Sequence, residues 1–278
     1  MPSQAANLIW VNGAPADAVS ALERGLHYGD GLFETMACTG GEVRLLARHL
    51  ARLARGCGRL AIAAPDPQAL ARELSVLAAG QGRCILKLIL TRGPALARGY
   101  GYGAGQVPTR VVLRYPWEGP AADPAAGVRV RIARLRLAEN PATAGIKHLN
   151  RLEQVLARAE WDDPQIAEAL LFSRGGALIS GTMSNVFLVR GMTVQTPRLD
   201  LCGVEGIMRE VVMEVARDCG LALEERVLVQ GDVDAAEEMF LTNSLTGIRR
   251  VGVIEARTLT GAAVGRRLQA ALARAGAA

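Results

Sequence analysis

Apolar positions change their period several times along this chain, and the changes mark its elements. Leu8-Ile9-Trp10-Val11 before Asn12-Gly13 predicts a strand and a tight turn. Residues 17–31 show no period and read as irregular. Leu32 to Cys38 predicts a strand, turned at Thr39-Gly40-Gly41 into a short partner from Glu42 to Leu45. Leu46, His49, Leu50, Leu53 and Cys57 then fall on one helical face. Pro65 to Pro67 ends that helix, and a second helix runs to about Ala79. Cys84 to Leu90 predicts a buried strand and Thr109 to Tyr115 another. Between them, Arg92 to Val107 carries glycines at 93, 99, 101, 103 and 105. A loop of that length without its own period is functional or mobile.

The second half begins after a proline- and alanine-rich stretch, Pro116 to Gly127, which reads as a linker. Val128, Val130 and Ile132 alternate with Arg129 and Arg131, as in a half-exposed strand. Leu149, Leu152, Val155, Leu156 and Ala159 recur at helical spacing, so a helix with one apolar face is expected to run from about Lys147 to Trp161. A series of hairpins follows: Ala169–Phe172, Leu178-Ile179, Val186–Val189 and Met192–Val194, with turns at Arg174-Gly175-Gly176 and Arg190-Gly191. Cys202 to Gly206 leads into a helix from Ile207 to Cys219. Strands near Val227–Val229, Met239–Leu241 and Val251–Ile254 and a C-terminal alanine-rich helix close the chain. Segregated sheets and helices of this kind indicate α+β rather than a doubly wound fold.

Composition narrows the class. With 278 residues, half of them hydrophobic, the chain can fill two domain cores. No uncharged apolar run approaches the length of a membrane span, and the N-terminus lacks the pattern of a signal peptide. The five cysteines, at 38, 57, 84, 202 and 219, are scattered, with no CxxC or Cys/His cluster. That pattern argues against zinc or any other metal and for a reducing, cytoplasmic setting. The net charge of +5 is spread through helices and strands with few aromatics, which suits a small anionic ligand better than nucleic acid.

Several residues are candidates for chemistry. Lys147 stands in Ala144-Gly145-Ile146-Lys147-His148-Leu149-Asn150-Arg151-Leu152-Glu153-Gln154-Val155-Leu156; from spacing alone it reads as a surface lysine at a helix start. Gly203-Val204-Glu205-Gly206 before a helix offers free amides and a positive dipole end to an anion. Arg52 reads either as a solvated helix face or as an anion partner. Arg92 and Arg98, in a glycine-rich loop, suit bidentate recognition of carboxylates or belong to a basic loop with no ligand. His27 to Thr35 brings Tyr28, Phe33 and Thr35 to either a pocket or the core.

The run IKHLNRLEQVLARAE resembles the lysine segment of the fold-type IV pyridoxal-phosphate enzymes, most of all their aminodeoxychorismate lyase branch. The RGx…RGY element at Arg92–Tyr100, the YGDGxFET segment at Tyr28–Thr35 and the HxxRL helix at His49–Leu53 are similar to that branch as well. The resemblance implies a two-domain, D-amino acid aminotransferase-like α+β fold: a small N-terminal domain over 1–116, a linker over 117–127 and a larger, β-barrel-like cofactor-binding domain over 128–278. It implies pyridoxal 5'-phosphate bound covalently at Lys147, its phosphate held by the amides of Ile207 and Met208, the Ser244 hydroxyl and Arg52. Arg98 and, more weakly, Arg92 are the implied substrate contacts, with Tyr28 and Thr35 beside them. A homodimer is implied too. One position departs from the family pattern E-G-T-x-S-N: Ser180 stands where a glutamate pairs with the pyridine nitrogen, so Ser180 would offer only a neutral hydrogen bond, with Glu168 a conceivable substitute. The implied activity is release of pyruvate from 4-amino-4-deoxychorismate; a D-amino acid or branched-chain aminotransferase and a non-catalytic relative are the alternatives.

Overall fold

Strand periodicity in the first part of the chain produces one antiparallel sheet with two helices laid on one face. In the computed structural model, which describes residues 8–103, 105–120 and 126–276, this sheet belongs to the first of two compact units. The first unit reaches Gly119 and also holds Ile146–Asn150; the rest of the described chain forms the second. The chain therefore enters the first unit twice, a return that the proposed linear order of domains did not contain. Residues 121–125 of the expected linker lie outside the described residues.

The first unit runs β1 (Leu8–Val11), β2 (Ala14–Pro15), α1 (Arg24–Tyr28), β3 (Gly31–Thr39), β4 (Glu42–Val43), α2 (Leu46–Leu60), α3 (Pro67–Ala78), β5 (Arg83–Thr91) and β6 (Arg110–Pro116). Its six strands are ordered β2-β1-β6-β5-β3-β4. The two-residue alternation of β3 sends Leu32, Glu34, Met36 and Cys38 to the helix side, while Phe33 and Thr35 stay half-buried on the other. Leu86, Leu88 and Leu90 of β5 join Leu53 and Cys57 of α2 and Leu70, Leu74 and Leu77 of α3 in the core. Each fully buried leucine contributes on the order of 2 kcal/mol there. Pro67 opens α3, and the Asp66 carboxylate accepts from the amides of Gln68 and Ala69 at 3.2 and 3.0 Å, so the helix start is capped by its own sequence. The stretch read as irregular contains α1, a helix too short for its period to register.

The second unit comprises β7 (Val128–Leu137), α4 (Leu152–Arg158), β8 (Ile166–Ser173), β9 (Leu178–Gly181), β10 (Asn185–Arg190), β11 (Thr193–Pro197), α5 (Ile207–Asp218), β12 (Ala222–Arg226), α6 (Gln230–Ala235), β13 (Glu238–Asn243), β14 (Gly247–Ile254), β15 (Arg257–Thr258) and α7 (Ala263–Arg274). Its mixed sheet is ordered β12-β11-β10-β13-β14-β7-β8-β9, with β15 paired to β14. The sheet curls until β9, at one end, packs on β10 and β11 near the other. Val128, Leu170, Val186, Met239 and Val251 fill the interior of the curl. Outside it, Phe187 of β10 stacks on Phe240 of β13 with ring centres 4.9 Å apart, in the layer where α5 and α7 meet β13.

Two sequence expectations change here. The strand expected near Val227–Val229 lies earlier, at Ala222–Arg226, because that segment pairs in parallel with β11, and Val229 instead precedes α6. The helix expected from Lys147 begins only at Leu152. Ile146–Asn150 is not helical: His148 bridges Leu32, Phe33 N–H donates to Lys147 O at 3.0 Å, and Leu149 N–H donates to Gly31 O at 2.9 Å. Backbone pairing with β3 overrides helical spacing in those residues.

Candidate active site

Lys147 therefore lies outside the helix, at the edge of β3 where that strand has Phe33. Its Nζ lies 4.1 Å from the centre of the Phe33 ring. The other lysine of the sequence, Lys87 on β5, places its Nζ 5.7 Å from the same ring. Thr35, the register partner of Lys87, is half-buried on the same face as Phe33. Tyr28 closes α1, half-buried, with its ring 5.2 Å from Tyr100 of the glycine-rich loop.

On the opposite face of β3, Glu34 is a buried carboxylate in an otherwise apolar core. Arg52 donates to it through Nε at 2.8 Å and Nη2 at 2.5 Å, and His49 Nδ1 lies 2.6 Å from its second oxygen. His49 and Arg52 are three residues apart on α2, so one helix face delivers both. Burial pushes the Glu34 carboxyl up, but the hydrogen bonds from Arg52 and His49 outweigh it and hold the group down at about 2. Arg52 is thus neither a solvated helix residue nor loosely placed: a buried carboxylate orients its guanidinium.

Arg92 does not extend toward a ligand. Its guanidinium is buried, donating to Asp30 at 2.8 and 3.1 Å and to the carbonyls of Leu60 and Ala61 at 2.7 and 2.8 Å, while Tyr102 stacks on it at 3.7 Å. In this structure Arg92 anchors Asp30 and the end of α2. Sequence reading passed over Arg24, which does related work. Arg24 Nε donates to Asp30 Oδ2, the oxygen it shares with Arg92 Nε, at 2.8 Å, and its other nitrogens donate to the carbonyls of Gly99, Tyr100 and Gly101 at 3.3, 2.8 and 3.1 Å. Burial raises the Asp30 carboxyl, but Arg92 and Arg24 together hold it below the usual range. No period or motif singled out Arg24, because the carbonyls it gathers lie more than seventy residues along the chain. Arg98, by contrast, is exposed on the loop these residues fasten.

In the second unit, the carboxylate of Glu168 organises the turn after β9. It accepts from the amides of Thr182 and Met183 at 2.9 and 3.1 Å and from the hydroxyls of Thr182 and Ser184. With both oxygens engaged there, Glu168 is a turn organiser and not the substitute considered for the missing glutamate. Ser180 is half-buried, and its hydroxyl donates to Gly181 O at 2.8 Å.

The same end of this unit carries an anion cradle. Gly206 precedes α5, whose first turn has no side-chain cap, so the amides of Ile207 and Met208 lie at an open, electropositive helix start. Asn185 donates to Val204 O at 2.9 Å, and a Cβ on Gly206 would come within 2.0 Å of Asn185 Oδ1. Asn185 pairs with Thr242, and Ser244 follows in a turn whose Asn243 side chain accepts from the amides of Leu245 and Thr246. The Thr242 hydroxyl is buried without a hydrogen-bond partner among the described residues. An open helix start, a glycine whose Cβ would collide with the Asn185 side chain, and an orphaned hydroxyl together fit a phosphate group. Among the described residues no group of three His, Cys, Asp or Glu is placed to hold a metal.

The class IV aminotransferase family pattern matches residues 31–254. The chain belongs to that family. Within it, the chain is 34% identical over 257 residues to an aminodeoxychorismate lyase of Vibrio harveyi, covering 90% of this chain and 92% of the relative. A crystal structure of 4-amino-4-deoxychorismate lyase from Pseudomonas aeruginosa superposes with a TM-score of 0.88 at 43% identity, over 98% of this chain and all of that one. A hypothetical aminotransferase from Mycobacterium tuberculosis, solved in its PLP-bound form, gives a TM-score of 0.79 at 21% identity, covering 96% of this chain and 99% of that one; that likeness is one of fold.

Proposed function

We propose that this class IV protein is a pyridoxal-phosphate-dependent lyase that converts 4-amino-4-deoxychorismate to 4-aminobenzoate, a folate precursor, and pyruvate. The likeness to aminodeoxychorismate lyases over nearly the whole chain carries the reaction. The placement of Lys147, pinned to β3 by two backbone hydrogen bonds with its amine over Phe33, supports it as the cofactor-binding residue.

Pyridoxal phosphate supplies an aldehyde for an amine and a ring that accepts electrons. In this reading Lys147 would hold the aldehyde carbon of the cofactor, at a position that a substrate amine could take over. The freed Nζ takes the proton from C4 of the substrate. The C4–H electron pair becomes the double bond to the neighbouring ring carbon that makes the ring aromatic, the pair of that carbon's C–O bond leaves with the enolpyruvate oxygen, and Nζ gives its proton to the enolpyruvate carbon to form pyruvate. Ile207 and Met208 would hold the phosphate through their amides and Ser244 through its hydroxyl, and the resemblance adds the charge of Arg52, oriented by Glu34. Ser180 carries no charge with which to keep a proton on the ring nitrogen. Elimination driven by aromatisation tolerates that better than transamination does, so Ser180 counts against the aminotransferase alternative. Arg98 is the substrate contact on the loop.

The protein acts as a homodimer in this reading. Leu152, Val155 and Leu156 form an apolar stripe on α4, with exposures of 70%, 61% and 53%, and a second copy of the chain is its occupant. The cysteines of the described chain form no disulfide, which supports a reducing, cytoplasmic setting, and no described helix is long and apolar enough to cross a membrane. The test is direct. Borohydride reduction of the loaded protein should label the peptide containing Lys147 and not the one containing Lys87, and Lys147→Ala should release no pyruvate. Label on Lys87, or wild-type turnover by the alanine variant, rejects the assignment.

A further inference from the structure

The loop between β5 and β6 has little to hold it from within. Glycines stand at 99, 101, 103 and 105, and the backbone takes a positive φ at Gly99 (+106°) and Gly105 (+84°). Among the described residues no backbone–backbone hydrogen bond reaches residues 96–103. A side chain takes that role instead. Arg24 opens α1 and is 4% exposed. Its amide donates to Gly93 O at 3.1 Å, where the loop begins, and its guanidinium reaches the middle. Nη1 donates to Gly99 O and Gly101 O at 3.3 and 3.1 Å and Nη2 to Tyr100 O at 2.8 Å, while Nε is engaged by Asp30. The guanidinium also lies 5.0 Å from the centre of the Tyr28 ring and 6.0 Å from that of Tyr102, a residue of the same loop. The three carbonyls follow directly on Arg98, whose exposed side chain is the expected substrate contact.

We propose that Arg24 is a positioning residue: by gathering the carbonyls of residues 99–101 it holds the loop in the arrangement from which Arg98 meets a substrate carboxylate. This rests on the lyase reading above. A segment with four glycines among residues 99–105 samples many conformations, and a carboxylate bound by Arg98 would otherwise have to order that segment at the expense of its own affinity. With the carbonyls already taken up, the ordering precedes binding. Arginine suits the task, since its planar fork spreads donors over three carbonyls, whereas a lysine ammonium is a compact charge on a flexible stem. Asp30 supplies a countercharge that Arg24 shares with Arg92, and Arg92 carries the clamp on to the carbonyls at the end of α2.

The experiment makes Arg24→Gln and Arg24→Lys in the loaded enzyme, each alone and together with Arg98→Ala. Pyruvate release gives KM and kcat for 4-amino-4-deoxychorismate; calorimetry gives the affinity for chorismate, a dicarboxylate that lacks the amine. In Arg24→Gln, KM should rise roughly 10- to 100-fold and chorismate affinity should fall in parallel, with kcat changed less than about tenfold. Tryptic cleavage after Arg98, followed by mass spectrometry, should quicken at least roughly tenfold, because the protease needs the loop to open. Arg24→Lys keeps the charge without the fork and should recover part of each, and it stands in for Arg24→Gln should that variant fail to fold. In the Arg98→Ala background the same substitutions should cost less than about twofold in KM and affinity, since the group they position is gone. Unchanged KM and chorismate affinity in a folded variant overturn the proposal whatever the cleavage rate. An equal loss with and without Arg98 overturns it too, because Arg24 would then support the fold and not the arginine. A wild type that releases no pyruvate rejects the lyase reading, while the calorimetric cycle between Arg24 and Arg98 still decides whether one positions the other.

Discussion

Replacing Glu34 by glutamine tests the buried support of Arg52. Glutamine keeps the shape and one acceptor but removes the charge between Arg52 and His49. The cost follows from the structure in two ways. First, Glu34 is 1% exposed and is the carboxylate that Arg52 grips with two donors, so its removal leaves a buried guanidinium without that charge, worth about 3–5 kcal/mol. Second, the Glu34 carboxyl is lowered from 4.5 to about 2, a difference worth about 3 kcal/mol of folding free energy. Because the folded value is the depressed one, this contribution is complete above the unfolded value and disappears as pH falls from about 4.5 toward 2. About 2 kcal/mol of it should be gone by pH 3. Urea unfolding of wild type and Glu34→Gln, followed by circular dichroism at intervals from pH 7 to pH 3, reads both quantities. Other carboxylates titrate in both proteins, so the difference between the two curves isolates Glu34. The expected result is a gap of about 3 kcal/mol at neutral pH that narrows steadily below about pH 4.5. A gap under about 1 kcal/mol, constant with pH, would refute the reasoning that Glu34 is an ionised, load-sharing partner of Arg52.

Gly206→Ala should weaken binding of pyridoxal phosphate at least roughly tenfold, since the new methyl must displace Asn185 from the start of α5; a fluorescence titration with unchanged affinity would exclude the cradle. Ser180→Glu should change the absorbance of the bound cofactor near neutral pH by holding a proton on the ring nitrogen, and an unchanged spectrum and rate would mean that residue 180 does not face the ring. Leu156→Lys, on the α4 stripe, should lower the dimer fraction in sedimentation experiments without changing the circular dichroism of the protomer. A variant that sediments like wild type removes α4 from the interface.

Local chemistry made much of this molecule legible before any coordinates. The prolines between α2 and α3, the strand run of β3 and the glycine turn ahead of α5 act over a few residues, and short-range signals of that kind survive folding. Arg24, Arg92 and Glu34 resisted the same reading because their roles depend on partners brought together by the sheet. An arginine that gathers three carbonyls from residues 99–101 looks, in sequence, like any arginine on a short helix.

The segment after Gly145 shows most clearly how a correct pattern can mislead. Leu149, Leu152, Val155 and Leu156 do have helical spacing, and α4 does form, but only from Leu152. Periodicity reports a preference for burying one face; it says nothing about when the backbone finds better partners. Here β3 offers Gly31 O and the Phe33 amide to the residues around Lys147, and those bonds hold the chain out of the helix. The consequences are chemical. A lysine in the first turn of a helix has fraying backbone around it, whereas Lys147 is tied to β3 through its own carbonyl and through the Leu149 amide two residues on, which restricts where its amine can reach. The stripe freed from core packing is then left on the surface of α4, the observation that supports a second copy of the chain as its cover. A single competition for backbone hydrogen bonds thus accounts for both the pinned backbone beside Lys147 and the apolar stripe left exposed on α4.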